Sequence, residues 1–211
     1  VPSDSTVSLA KLTATGTKNS TTFLRGDNTF NAPPAGGAWE LISRAAIGGS
    51  DVASAVFTNL STSGESYMFV FNGIDSVADS SEDFQMQVST DNGSNYRTSG
   101  YKSALLQHYS DSGSNFYNST AAFILSENQG ASDISEGNNG FLILYNLASS
   151  LKTAYTGQCV VMGESNRVRM NHYGGFYDTA EDTDAVRFMF ESGNITATTV
   201  GFISQYKQVI A

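Results

Sequence analysis

From Trp39 onward the chain is divided into short runs that are either apolar throughout or alternate apolar with polar residues, and Gly, Asn, Asp or Ser punctuates each run. A helix needs an apolar stripe recurring about every 3.6 residues, and no such stripe is sustained here. The pattern predicts strands near 39–47, 53–58, 67–74, 83–90, 101–109, 120–126, 140–147, 154–162, 167–173, 185–191 and 199–207. The clearest alternation sets Phe84, Met86 and Val88 against Gln85, Gln87 and Ser89, so one face of that strand is expected to be buried and the other wet. Tyr67–Phe71 and Phe141–Tyr145 are apolar at successive positions, which predicts cover on both faces, with the core on one and a neighbouring subunit on the other.

Strands of this number, without a repeat of fixed period, predict an all-β fold: an antiparallel jelly-roll-like β-sandwich, with an open barrel as the alternative. The polar stretches 75–82, 110–119, 127–139 and 174–184 are expected as loops at the ends of the sheets.

Residues 1–37 are written differently. They are Ser, Thr, Asn, Gly and Ala with isolated apolar residues, and they close with Pro33-Pro34-Ala35-Gly36-Gly37. So thin an apolar content cannot support a core, which predicts an extended arm ordered by other chains, with Leu9, Leu12, Phe23, Leu24 and Phe30 as its anchoring contacts. The expected organisation is an arm over 1–37 and a β-sandwich domain over 38–211.

Net charge is −9; Lys11, Lys18 and Arg25 against Asp4 and Asp27 give the arm +1, which leaves −10 on the rest. An acidic body repels polyphosphate, so no nucleic-acid partner is expected. Cys159 is the single cysteine, which excludes an intrachain disulfide framework and a multi-cysteine zinc site. No stretch has the length of a membrane span and the first residues do not read as a signal peptide, so membrane insertion and secretion are not expected.

Two parts of the chain resemble bacteriophage fibre proteins. Leu12-Thr13-Ala14-Thr15-Gly16-Thr17 followed by Ser20–Phe30 is similar to the linker that recurs before the terminal domain of phage tail fibres, and Asp4–Leu12 resembles their shaft units. Trp39–Ile42, Tyr67–Phe69, Val88–Gly93 and Asp184–Ile195 resemble a terminal domain found behind such linkers. The resemblance implies a virion protein, made in the bacterial cytoplasm, homotrimeric, and joined to other virion proteins through its arm. One shaft-like unit implies a short fibre, a tail-tip piece or a head decoration.

The residues for chemistry are few. Arg25-Gly26-Asp27 lies in the fibre-like linker and reads as a turn. Nucleophilic catalysis has only His108 and His172 as bases, no Gly-x-Ser-x-Gly elbow occurs, and Cys159 shares an alternating face with Tyr155 and Val161, which predicts core packing. The expectation is therefore no enzyme, no catalytic residue, no cofactor and no metal. The acidic groups Asp75, Asp79, Glu82, Asp83 and Asp178, Glu181, Asp182, Asp184 lack EF-hand spacing and are expected as hydrated loop carboxylates, with a calcium site as the alternative.

Aromatic residues beside Asn, Asp and Ser occur in 108–118 and 171–178, a mixture that stacks on sugar rings while bonding their hydroxyls. The candidate ligand-binding residues are Tyr109, Asn115, Tyr117, His172, Tyr173 and Tyr177, with Tyr109, Tyr117 and Tyr177 exposed and Phe116 and Phe176 turned inward. The expected function is a phage structural protein whose sandwich adheres to a host-surface glycan. A capsid decoration or head-fibre protein that stabilises the shell without a ligand is the alternative, and a spike depolymerase the weaker one.

Overall fold

A computed structural model describes residues 15–17, 19, 22–24, 26, 28–31, 39–60, 65–77, 82–111, 113–129, 137–148, 150–163, 167–196 and 201–209. The chain divides into two units, Val1–Ala38 with Ala211, and Trp39–Ile210. Among the described residues there is no helix, and every strand pairing is antiparallel.

In the smaller unit β1 (Phe23–Leu24) pairs with β2 (Phe30–Asn31). The Phe30 amide donates to the Thr15 carbonyl at 2.6 Å and the Thr15 amide to Asn28 at 3.2 Å, while Asn28 takes the left-handed conformation (φ 63°) that Asn tolerates in a turn. The hairpin closes its backbone bonds yet leaves Phe23 and Leu24 exposed, with Phe30 half-buried. Leu9, Leu12, Arg25 and Asp27 lie outside the described residues.

The larger unit is built from β3 (Trp39–Ile47), β4 (Ala55–Phe57), β5 (Tyr67–Ile74), β6 (Glu82–Ser89), β7 (Tyr101–Tyr109), β8 (Ser114–Ser119), β9 (Phe123–Gln129), β10 (Asn138–Tyr145), β11 (Lys152–Gly163), β12 (Arg167–Ala180), β13 (Ala185–Phe190) and β14 (Gly201–Gln208). They form two sheets, ordered β3-β14-β5-β10-β11-β12-β7-β8 and β4-β13-β6-β9. Without the hairpins β7–β8 and β11–β12, the chain crosses from one sheet to the other at every step except β6 to β9, which pair directly. Two facing four-stranded sheets, β3-β14-β5-β10 and β4-β13-β6-β9, wound in this way are a jelly roll. The two remaining hairpins are insertions that extend the larger sheet beyond the roll.

The core lies between the sheets and is aromatic at its centre. The Phe188 ring of the smaller sheet sits 5.2 Å from Phe69 and 5.5 Å from Phe71 of the larger, and 6.0 Å from Phe57 beside it. Most of these contacts are edge-to-face or tilted, the arrangement the ring quadrupoles favour.

Strand β9 is an edge of the smaller sheet, and the inserted hairpins cover it. Its free main-chain groups would be costly in that position. The covering face supplies partners: the Ile124 amide donates to Ser103 Oγ (2.8 Å), Ser103 bonds Tyr155 (2.6 Å), and the Tyr155 hydroxyl donates to the Ile124 carbonyl (3.1 Å). Cys159 Sγ reaches the Leu125 carbonyl, and Gln107 Nε2 and Arg169 Nη1 donate to that of Glu127 at 3.2 and 3.0 Å. Polar side chains on a buried sheet face are thus explained by the edge they satisfy.

Three sequence expectations are corrected here. Gln85, Gln87 and Ser89 are buried, not wet: residues after β6 fold back over them, Arg187 donates to Gln87 Oε1 at 2.6 Å and 3.0 Å, and the Gly93 amide donates to Ser89 Oγ. The expected loop 110–119 contains β8, and most of the expected loop 174–184 is the second half of β12. Gly175 stands within that strand because it runs close to β7, where a Cβ would lie 2.1 Å from the Lys102 carbonyl oxygen, and Gly174 faces the Tyr155 carbonyl of β11.

Candidate functional site

The inserted strands β11, β12 and β7 have one face on the core and one open, and β8 continues their sheet as an edge strand. The register fixes which residues share each face. Across β10, β11, β12, β7 and β8, one outward row reads Phe141, Gln158, His172, Leu106, Phe116, and the row beside it reads Asn139, Val160, Met170, His108, Ser114. A third reads Ile143, Thr156, Gly174, Ala104, Asn118. Phe116, Met170, Phe176 and Val160 are exposed on this face, Phe116 to 79%. The small residues Gly174, Ala104 and Thr156 leave a trough of about 620 Å³ between Phe116, Asn118 and His172. A second depression of about 270 Å³ lies over Gly140, between Phe141, Val160 and Met170.

The other parity of β8 points the opposite way. Asn115 Nδ2 donates to the hydroxyls of Tyr109 (2.9 Å) and Tyr117 (3.0 Å), which lie 3.2 Å apart. Asn115 is exposed and the two rings are half-buried. Below them Gln107 Nε2 also donates to Asn171 Oδ1 at 2.9 Å, while Gln107 Oε1 and Glu127 Oε2 are buried with no hydrogen-bond partner among the described residues. Burial and the nearby Asp83 carboxylate push the Glu127 carboxyl up to about 7, and Arg169 offsets only part of this. Burial and the Tyr109 hydroxyl raise the Tyr117 phenol in the same neighbourhood.

The six candidate ligand residues thus separate into three groups. Tyr109, Asn115 and Tyr117 form one bonded cluster; His172 lies on the opposite face of the sheet. Tyr173 and Tyr177 are buried, a correction to their candidacy and to the expected exposure of Tyr177. The Tyr173 hydroxyl donates to the Phe141 carbonyl at 2.9 Å and that of Tyr177 to Glu181 Oε1 at 2.7 Å, so both serve the core. Phe116 and Phe176, expected to turn inward, are the exposed rings. The physical reason is the period of two: once 114–119 and 167–180 are strands, parity assigns Phe116 and Phe176 outward and Tyr173 and Tyr177 inward. Reading 110–119 as a loop removed that signal, and Glu127 carried no sequence signal.

Cys159 is buried beside Asn171 and Asn138, and desolvation pushes its thiol up to about 12, so it holds no thiolate for attack. The described carboxylates are structural clamps more than hydrated loop groups. Glu82 accepts the Ser192 amide and hydroxyl, Glu181 takes Arg97 at 2.8 and 2.9 Å, Asp184 accepts the Asn92 amide, and Asp178 sits between Lys102 and Lys152, which hold it down at about 2. Asp79 lies outside the described residues. A further cleft of about 660 Å³ opens between β3 and β4, lined by Ile42, Arg44, Val56, Asn59, Tyr67 and Lys207. Compared with protein-family models, curated proteins and solved structures, the chain has no match.

Proposed function

We propose that the chain is a structural protein of a bacteriophage virion, a short homotrimeric fibre whose N-terminal segment joins it to the particle and whose sandwich adheres to a host-surface glycan. The observation that carries the adhesive half is Phe116: a phenylalanine 79% exposed on a strand that the jelly roll does not need. Exposed rings beside small and polar residues suit the stacking and hydroxyl bonding of a sugar, and the trough beside Phe116 supplies Asn118, Thr156 and His172 for the latter. Weak single contacts gain strength when several copies engage at once. The fibre half rests on the resemblance of residues 4–30 and of the body to fibre proteins.

The apolar outward row segments Met68, Val70, Phe141 and Ile143 favour contact with protein instead of sugar. They support self-association, and equally a second reading in which the broad sheet lies on a capsid shell as a decoration. Imaging of labelled protein on intact particles separates tail from head. A bacterial-glycan array probed with the full chain separates adhesion from decoration: binding that is lost on Asn118→Ala and Phe116→Ala supports the fibre reading, and no binding by a verified oligomer contradicts it.

A further inference from the structure

The chain has two histidines in 211 residues, and the fold makes them ring neighbours. His108 on β7 and His172 on β12 are diagonal partners on the outward face, because Leu106 pairs with His172 and His108 with Met170. Their ring centroids are 5.8 Å apart with planes at 81°. A metal–imidazole bond of about 2.0–2.1 Å puts each ring centre roughly 3.2 Å from the ion, so two imidazoles have centroids about 4.5 Å apart at the right angle of a tetragonal site and about 5.2 Å apart at a tetrahedral one. The observed spacing is wider than either, and both side chains are exposed, so each can rotate through the remaining distance.

Met170 stands directly opposite His108, two residues before His172 and on the same face, half exposed. No charged residue occupies either outward row from β10 to β8, so nothing fixed there repels a cation. Two imidazoles and a thioether select a borderline transition ion over calcium or magnesium, and affinities rise toward Cu²⁺. Among the described residues no group of three or more His, Cys, Asp or Glu forms a metal cage. A two-imidazole surface site is a different construction. We propose that His108 and His172, with Met170 beside them, bind a divalent transition cation, Cu²⁺ most tightly, and tie β7 to β12.

The test is titration of the full chain with CuCl₂, followed by calorimetry and by the nitrogen hyperfine pattern in electron paramagnetic resonance. Expected are one ion per chain, a two-nitrogen imidazole signature, and at least tenfold weaker binding in His108→Gln and in His172→Gln, with CaCl₂ silent. Circular dichroism checks that each variant is folded, which the exposure of both rings favours. No binding by the unmodified chain, or binding undiminished in the double variant, overturns the site.

Discussion

The eight jelly-roll strands and the four inserted strands differ in what they do with phenylalanine. In the roll, Phe188 is fully buried at the meeting point of rings from both sheets; on inserted strand β8, Phe116 stands open beside a trough. Both residues obey the same two-residue period. The difference is that the roll has a second layer over its inner face, whereas among the described residues none lies over the outward face of the insertion. Folding information is thus concentrated in the roll, and surface available for recognition is concentrated in the additions.

The largest effect is expected at Phe188. Phe188→Ala empties the centre of the aromatic cluster and should cost about 3–5 kcal/mol in a urea melt; a cost like that of a surface change would mean the roll is not organised around this ring. Next is Tyr155→Phe, which takes from the Ile124 carbonyl its hydroxyl donor and breaks the Ser103–Tyr155 bond inside the sandwich, leaving Ser103 only the Ile124 amide. A loss of about 1–3 kcal/mol is expected, and no loss would show that the insertion does not seal the β9 edge.

Stability against pH sharpens the same boundary. Glu127 has a folded value raised to about 7, above its ordinary carboxylate value, so between about pH 4.5 and 7 the folded state holds more proton than the unfolded one. Its contribution therefore destabilises progressively as pH rises through that window, and Glu127→Gln should flatten the slope in pH-dependent melts. Asp178 has the opposite sign: Lys102 and Lys152 depress it to about 2, so its contribution is present above its ordinary value of 3.8 and is lost as pH falls toward 2. Asp178→Asn should remove that acid-side loss. The smallest effect on stability is expected at Phe116, where Phe116→Ala should stay within about 0.5 kcal/mol of the unmodified chain.

The roll was legible in the sequence because its strands alternate against a core or are apolar through. The bounds expected for 39–47 and 67–74 are those observed and the jelly-roll winding is present; of the inserted strands, β7 (101–109) also keeps its expected bounds. The insertion was only half legible. Strand β8, Ser-Asn-Phe-Tyr-Asn-Ser, is an edge strand with both faces largely open, so no apolar alternation marks it. The second half of β12 was hidden by Gly174-Gly175, which signal a turn in isolation but here let two strands approach. Because parity can be read only inside a recognised strand, the faces of Tyr177, Phe116 and Phe176, all beyond the expected strand bounds, could not be read from the sequence. The partners of Glu127 come from strands distant in sequence, and its raised value arises only when they assemble.

The most direct test of the division between folding and recognition is one variant measured twice. Phe116→Ala should melt within a few degrees of the unmodified chain and bind the bacterial glycan that the unmodified chain selects at least tenfold more weakly. Unchanged glycan binding, or a melting loss as large as that of Phe188→Ala, would contradict it.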